Sequence, residues 1–293
     1  MARLRILVVD GNTPQLNDAH AALGGTRTAA HYISVLNALR DDLECDSVHP
    51  ADVSVNDLPS SRQLAAYDGI AWTGSALNVY NDEPEVTRQV DLAHAAFASG
   101  TPIFGSCWGL QVAAVAAGGK VRANPLGREI GFARRIRQLV SGGEHPLLSG
   151  KDPVFDAICV HLDEVSVEPP GMTVLATNEV SRIQAAEIRH DNSTCWAVQY
   201  HPEYDFHEIA TVMLRYRERM LADGFFPDIP ALERFTDNLK ALQADPARKD
   251  LGWLYGLNAM VLDRPTRNRE LANWLEHLVL PTARERGRWP TSV

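Results

Sequence analysis

Short apolar runs alternate with segments of helical periodicity along the first two thirds of the chain. The run from Arg5 to Asp10 is rich in β-branched residues and Leu, which is typical of a central parallel strand buried on both faces. Apolar residues recur at helical spacing from Ala29 to Leu39, and again from Val86 to Phe97, before a break at Gly100. This alternation predicts an α/β protein with a mostly parallel open sheet flanked by helices. It also places the functional site at the carboxyl ends of the strands.

The last third of the chain begins with a hairpin pattern and continues with amphipathic helices. Ala185 to Arg189 and Thr194 to Gln199 are apolar runs on either side of a polar turn, which predicts two antiparallel strands. Beyond Glu203, apolar residues recur at helical spacing in several further segments. We therefore expect a main α/β domain over residues 1–222 and a helical C-terminal extension over residues 223–293.

Composition narrows the range of partners. The chain has 293 residues, 45% of them hydrophobic, and a formal net charge of −9. An acidic chain is poorly matched to nucleic acid or to an anionic membrane, because both select for basic surfaces. No apolar run reaches membrane-spanning length, and the stretch from Met1 to Arg5 enters a strand too soon for a signal peptide. We expect a cytoplasmic protein whose partners include neither nucleic acid nor membrane.

The four cysteines are widely separated and contain no C-x-x-C pair. This spacing indicates neither a zinc site nor a disulfide framework, and we expect no bound metal. Cys45, Cys159 and Cys195 lie in apolar, strand-like surroundings, so we interpret them as core residues. A reducing compartment, in which a reactive thiol survives, suits this set of cysteines.

The remaining cysteine, Cys107, lies between two glycines. The segment from Gly105 to Gly109 reads Gly-Ser-Cys-Trp-Gly; an apolar run precedes it and a run of small residues with helical character follows. Small neighbours at a strand-to-helix turn are the pattern of a nucleophile elbow, which lifts the nucleophile above the sheet edge and onto a helix N-terminus. A buried structural cysteine is the alternative interpretation, but it leaves both glycines unexplained.

A base for this thiol is available in the run from Trp196 to Glu203, which reads Trp-Ala-Val-Gln-Tyr-His-Pro-Glu. The apolar part ends just before His201, and Glu203 follows two residues later. This is the order expected when a carboxylate orients an imidazole that takes a thiol proton. An ordinary surface loop is the alternative interpretation of the tripeptide by itself.

Together these two motifs resemble those of the class I, triad-type glutamine amidotransferases. The likeness is closest to the glutaminase domain of GMP synthase. Its Ser-His-Gly-Asp stretch is similar to Val160 to Asp163 here, and its Val-Gln-Phe-His-Pro-Glu run is similar to Val198 to Glu203. The motifs cover roughly the first two thirds of the chain in the family's order. The resemblance implies a flavodoxin-like amidotransferase fold and a triad of Cys107, His201 and Glu203.

The resemblance also implies roles for five further residues. Gly74 and Trp108 would supply the backbone N–H groups of an oxyanion hole. Gln111, His161 and Asp163 would contact the glutamyl group of the substrate. In the stretch that contains the last two, Val and Leu stand where the family has Ser and Gly.

The activity implied by this resemblance is that of a cysteine amidohydrolase without a cofactor. It would convert the side-chain amide of glutamine to glutamate and ammonia through a glutamyl thioester. Two alternatives stay open: a γ-glutamyl peptidase acting on γ-glutamyl peptides or glutathione conjugates, and a non-catalytic binding subunit. A synthase subunit and a second copy of the chain are the protein partners compatible with this activity.

Ser141-Gly142-Gly143 needs a separate interpretation. It is similar to the start of an ATP pyrophosphatase loop, but the expected Asp-Ser does not follow it. We interpret this segment as a turn. Residues 225–293 are too few to hold a synthase domain, and their periodicity predicts helices.

Overall fold

The strands form one large and one small sheet. The computed structural model describes residues 3–139 and 144–290, and the turn predicted at Ser141-Gly142-Gly143 lies outside them. The strands, in chain order, are β1 (Leu4–Val9), β2 (Leu43–Val48), β3 (Gly69–Trp72), β4 (Ile103–Ser106), β5 (Lys120–Ala123), β6 (Glu129–Gln138), β7 (Val154–His161), β8 (Asp163–Val167), β9 (Met172–Thr177), β10 (Ala185–His190) and β11 (Ser193–Val198). Within the described residues, nine strands form the large sheet in the order β2-β1-β3-β4-β11-β10-β9-β6-β7, while β5 pairs with β8.

One side of the large sheet is parallel. The strands β2, β1, β3, β4 and β11 are neighbours in this order, and each runs parallel to the next. In the interior strand β1, Val9 lies beside Val48 and Trp72. Ile6, Val8 and Val9 are fully buried, as the apolar run predicts. The carboxyl ends of these strands therefore meet at one edge of the sheet.

The other side of the sheet is antiparallel. Strands β10 and β11 form the predicted hairpin, with Ala185 opposite Val198. Strands β9, β6 and β7 extend it, each antiparallel to its neighbour. The hairpin thus joins the parallel strands to an antiparallel extension.

Helices cover both faces of the sheet. Ile6 and Val8 pack in one buried cluster with Tyr32, whereas Val9 packs in another with Phe97. The α/β prediction is therefore confirmed.

Within the described parts of the chain, no helix combines the length and apolar character needed to cross a membrane. The helices are α1 (Pro14–Ala22), α2 (Thr28–Leu39), α3 (Ser61–Leu64), α4 (Pro84–Ser99), α5 (Trp108–Ala116), α6 (Phe206–Arg215), α7 (Arg217–Ala222), α8 (Ile229–Ala244), α9 (Lys249–Leu254), α10 (Ala259–Leu262), α11 (Arg264–Arg267), α12 (Arg269–Trp274) and α13 (Leu280–Glu285), with a 3-10 turn at Pro146–Leu148 and a π-helical stretch at Leu275–Val279.

The last helices pack into the core of the α/β sheet. Leu271 and Trp274 belong to the buried cluster that contains Phe104, and the rings of Trp274 and Phe104 have centroids 5.8 Å apart. The hydroxyl of Tyr200 donates to the buried carboxylate of Glu270 at 2.6 Å. The domain boundary after residue 222 stays a prediction. The helices beyond it nevertheless contribute side chains to the same core as the sheet.

Candidate active site

The chain turns sharply between β4 and α5, and Cys107 occupies the turn. Its backbone has a φ of 49° and a ψ of −94°, which residues with a side chain rarely adopt. A Cβ on Gly105 would lie 2.6 Å from the backbone carbon of Gly109, and a Cβ on Gly109 would lie 2.8 Å from the carbonyl oxygen of Trp72. Close backbone contacts therefore require both glycines, as the elbow pattern predicts.

His201 follows β11, the strand next to β4. The backbone N–H of Cys107 donates to the carbonyl of Val198 at 2.7 Å, which ties the turn to the end of β11. The backbone N–H of His201 donates to the carbonyl of Ile158 at 2.8 Å. Because β4 and β11 are parallel neighbours, Cys107 and His201 reach the same edge of the sheet.

The imidazole of His201 is held at its edge and on its face. Oε1 of Glu203 lies 2.7 Å from Nδ1 of His201, and the two side chains are only 1% and 2% exposed. The second carboxylate oxygen of Glu203 accepts a hydrogen bond from the Ser106 hydroxyl at 2.9 Å. The ring of Tyr204 stacks on the imidazole, with centroids 4.1 Å apart and an interplanar angle of 8°. These contacts fix the direction in which Nε2 points.

Opposing effects set the pKa of His201. Burial would lower this pKa, but the Glu203 carboxylate and the neighbouring Cys107 side chain raise it to about 10. The Cys107 thiol donates at 3.5 Å to the carbonyl of Val160. Among the described residues, Nε2 of His201 has no hydrogen-bond partner of ordinary geometry. The imidazole therefore holds a proton strongly and lies close to a thiol.

The other three cysteines lie in different surroundings. All four thiols are free. Burial, with the help of the Asp46 charge, raises the pKa of the partly exposed Cys45 to about 11. Burial also raises the pKa of Cys159 and Cys195 well above the ordinary value for a thiol. Cys159 and Cys195 are core residues, as predicted, whereas Cys45 is only partly buried because β2 is an edge strand. In the described residues, no group of three or more His, Cys, Asp or Glu side chains could hold a metal ion.

A cavity of about 350 Å³ opens beside Cys107. Of the residues predicted for the site, Gly74, Cys107, Gln111, His161, Asp163 and His201 line this cavity, whereas Trp108 and Glu203 are not among the lining residues. The lining is polar and charged for the most part and comes from widely separated segments. Its residues are Asn12, Gly74, Ser75, Ala76, Leu77, Asn78, Cys107, Gln111, Arg128, Val160, His161, Leu162, Asp163, His201, Tyr204, Arg215, Tyr216 and Arg219.

The two residues predicted for the oxyanion hole come from different segments: Gly74 from the loop after β3, and Trp108 from the elbow sequence itself. A Cβ on Gly74 would be 2.5 Å from Cε1 of His201, so the loop after β3 lies directly against the imidazole. Trp108 is the first residue of α5, and the backbone N–H groups of a first helical turn have no carbonyl partner within the helix. The Trp108 indole is buried and donates to Gln89 at 2.7 Å, so only its backbone is available to the site. The oxyanion role of both residues stays a prediction.

The three residues predicted to contact the substrate form one network on the cavity wall. The amide of Gln111 donates to the carbonyl of Asp163 at 3.3 Å. The ring nitrogens of His161 lie 2.9 Å from the Glu129 carboxylate and 3.2 Å from the same Asp163 carbonyl. The Asp163 carboxylate accepts from the Asn78 amide at 2.7 Å. The network orients these side chains, and their contact with substrate stays a prediction.

Several residues of the site could not be identified from sequence patterns. Ser106 and Tyr204 hold the Glu203–His201 pair, and their only sequence signal is their position next to predicted residues. Arg128, Arg215 and Arg219 line the cavity, and no motif marks them. Arg215 and Arg219 reach the cavity because α6 and α7 pack beside the sheet, whereas Arg128 comes from the loop just before β6.

Comparison with known proteins agrees with the observed fold. Residues 31–217 match the family model described as glutamine amidotransferase class-I. A γ-glutamyl-L-1-hydroxyisopropylamide hydrolase from a Pseudomonas species is 35% identical over 99% of this chain and 98% of its own length. A GMP synthase from Nitrosomonas eutropha is 31% identical over 53% of this chain and 28% of its own length. A solved glutamine amidotransferase from Thermotoga maritima, 15% identical, superposes with a TM-score of 0.64 over 95% of this chain and 99% of its own. The chain therefore belongs to the class I glutamine amidotransferase family.

Proposed function

We propose that this protein is a cysteine-dependent hydrolase of γ-glutamyl amides. The observation that carries the proposal is the grouping at one cavity of a thiol in a strained turn, a buried imidazole and a carboxylate. The amidohydrolase relative that is similar over the whole chain supports the same reaction class. In this proposal Cys107 is the nucleophile, His201 the general base and acid, and Glu203 the residue that orients His201.

The first half of the reaction forms a thioester. Nε2 of His201 carries the proton of the Cys107 thiol before the sulfur bonds to the γ-carbonyl carbon of the substrate. The backbone N–H groups of Gly74 and Trp108 stabilise the negative oxygen of the tetrahedral intermediate. The C–N bond then breaks, and His201 gives its proton to the departing amine. A γ-glutamyl thioester remains on Cys107.

The second half of the reaction releases glutamate. A water molecule adds to the thioester carbonyl and gives one proton to His201. The C–S bond breaks, the sulfur regains a proton from His201, and glutamate leaves the cavity. The free thiol is restored, so the cycle needs no cofactor.

The similarity over the whole chain favours substituted γ-glutamyl amides as substrates over free glutamine. The Pseudomonas relative is named for a γ-glutamyl amide of a small amino alcohol, and nearly all of both chains align. The GMP synthase match, in contrast, covers only part of both proteins. We therefore propose an amide whose nitrogen carries a small uncharged alkyl or hydroxyalkyl group.

Glutamine hydrolysis is the second candidate. The family match and the GMP synthase relatives favour it, and it would call for a synthase subunit that uses the ammonia. Hydrolysis of γ-glutamyl peptides is a variant of the main proposal with a charged leaving group.

A substrate panel on the purified full chain separates these activities. Glutamate release would be measured with a γ-glutamyl hydroxyisopropylamide, γ-glutamylethylamide, γ-glutamylglycine and glutamine. We expect the highest kcat/KM with the first two, and a loss of at least about a thousandfold in Cys107→Ala. Cys45→Ala is the matched control and should retain full activity. A preference for glutamine would support the second candidate, and full activity in Cys107→Ala would exclude both.

A further inference from the structure

One part of the cavity lining is basic. Arg128 lies just before β6, while Arg215 and Arg219 lie on α6 and α7, and all three line the cavity. Asp223 pairs with two of them, at 3.4 Å from Nε of Arg128 and 3.2 Å from Nε of Arg219. Among the described residues, Arg215 has no carboxylate within ion-pair distance. The cavity therefore contains a positive charge that no described side chain neutralises.

The guanidinium of Arg215 is held in position by an aromatic ring, and its N–H groups remain available to a ligand. Its central carbon lies 5.0 Å from the ring centroid of Tyr216, and that of Arg128 lies 5.3 Å from the same ring. Stacking on an aromatic ring restricts a guanidinium while leaving the N–H groups along its edge free. Those N–H groups match the two oxygens of a carboxylate. Arg215 is partly buried, so an ion pair there is screened less than one at the surface.

The cavity lining also carries a negative charge, at Asp163. The carboxylate of Asp163 accepts hydrogen bonds from the Asn78 amide and the Tyr80 hydroxyl. A γ-glutamyl group carries an α-ammonium and an α-carboxylate on one carbon, and a cavity with both signs of charge fits such a zwitterion. An uncharged amine on the amide leaves the α-carboxylate as the substrate's only anionic group.

We propose that Arg215 binds the α-carboxylate of the γ-glutamyl group and makes that carboxylate a requirement for productive binding. This inference rests on the proposed function, because it identifies a subsite of the same cavity. Arg128 and Arg219 keep that part of the cavity positive while Asp223 holds their side chains in place. The amide to be cleaved then lies at the other end of the glutamyl side chain, toward Cys107.

Kinetics of Arg215→Gln and Arg215→Lys test the proposal. We expect KM for a γ-glutamyl amide to rise roughly 10- to 100-fold in Arg215→Gln, as for the loss of a hydrogen-bonded charge, with kcat within about threefold. Arg215→Lys should recover part of the loss. Arg217→Gln is the matched control, because Arg217 lies two residues after Arg215, is 61% exposed and does not line the cavity. Its KM should equal that of the wild type.

Substrate analogues show which group Arg215 binds. 4-Aminobutanamide derivatives lack the α-carboxylate, so Arg215→Gln and wild type should cleave them equally slowly. An unchanged KM for the complete substrate in Arg215→Gln would overturn the proposal. A penalty confined to γ-glutamylglycine and absent with γ-glutamylethylamide would also overturn it, since Arg215 would then bind the leaving group.

A binding measurement keeps this test separate from that of the proposed function. Calorimetry of L-glutamate with Cys107→Ala and with Cys107→Ala/Arg215→Gln requires no turnover. We expect Kd for glutamate to be roughly 10- to 100-fold higher in the double variant. Equal Kd values would contradict the role of Arg215. Absence of γ-glutamyl amide hydrolysis by the wild type would instead contradict the proposed function.

Discussion

The hydroxyl of Ser106 donates a hydrogen bond to the Glu203 carboxylate at 2.9 Å, although the two residues are 97 positions apart in the sequence. The hydroxyl of Tyr32 lies 3.1 Å from that of Ser106, in the buried interior of the sheet. The carboxylate of Glu203 thus has His201 on one oxygen and Ser106 on the other. The residue immediately before the proposed nucleophile supports the residue that orients the proposed base.

Replacing Ser106 by Ala should weaken catalysis without unfolding the protein. Loss of one hydrogen bond to a buried carboxylate frees Glu203 to rotate, and we expect kcat/KM to fall roughly 10-fold. The matched control is Ser193→Ala, which removes another buried hydroxyl, one that donates to the carbonyl of Ala96. If the two variants retained the same activity, Ser106 would have no positioning role.

Replacing Gly74 by Ala should disturb the geometry of the active site more than it destabilises the fold. A Cβ there would lie 2.5 Å from Cε1 of His201, a ring held by Glu203 and Tyr204. The ring or the loop must move, so we expect kcat of Gly74→Ala to fall by at least about 100-fold. In the control Gly252→Ala the nearest atom is a Leu262 methyl group at 3.4 Å, and activity should persist. Wild-type kcat in Gly74→Ala would contradict the described contact.

His201 should stay protonated well above neutral pH. Its pKa is raised from 6.5 to about 10 against the effect of burial, chiefly by the charge of Glu203 and then by Cys107. Imidazole ¹⁵N NMR should therefore show a doubly protonated ring at pH 8, and Glu203→Gln should lower this pKa. An imidazole that titrates near 6.5 in the wild type would contradict this account.

The same shift has a consequence for stability. Because the folded pKa lies above the unfolded one, the folded state binds the extra proton between pH 6.5 and about 10. The contribution to the free energy of unfolding is complete below pH 6.5 and decreases as the pH approaches 10. Denaturant unfolding should accordingly show a difference between wild type and Glu203→Gln that is larger at pH 7 than at pH 10.

The C-terminal helices should unfold together with the sheet. Trp274 is fully buried against Phe104, and a Cβ on Gly69 of β3 would be only 2.9 Å from its ring. Trp274→Ala should lower the free energy of unfolding by about 3–5 kcal/mol in a single transition. The exposed Trp253, at 80% exposure, gives the control Trp253→Ala, with an expected change within about 0.5 kcal/mol. Two separate transitions would indicate an independently folded extension.

Local patterns in the sequence predicted the elements that depend on local causes. The apolar run of β1 predicted a buried strand, and the glycines around Cys107 predicted the tight turn that close contacts with Gly109 and Trp72 now explain. The hairpin before His201 followed from two apolar runs and a polar turn. In each case the physical cause lies within a few residues of the signal, or follows from strand pairing alone.

Other parts of the site depend on contacts that no local pattern contains. Ser106 is recognisable as a support for Glu203 only once β4 and β11 are adjacent. Arg215 looks like an ordinary residue of an amphipathic helix until α6 packs beside the cavity. The burial of Trp274 similarly depends on where the last helices return to the sheet. Such contacts are tertiary, so periodicity and motif spacing could not predict them.

The most direct test of the proposed role of Cys107 is peptide mass mapping after reaction with 6-diazo-5-oxo-L-norleucine, a glutamine-like electrophile. The partly exposed Cys45 serves as an internal control in the same sample. We expect one adduct per chain, located on Cys107, with loss of hydrolysis in proportion to labelling. An unmodified Cys107 in protein that has lost its activity to the reagent, or an adduct only on another cysteine, would contradict that role.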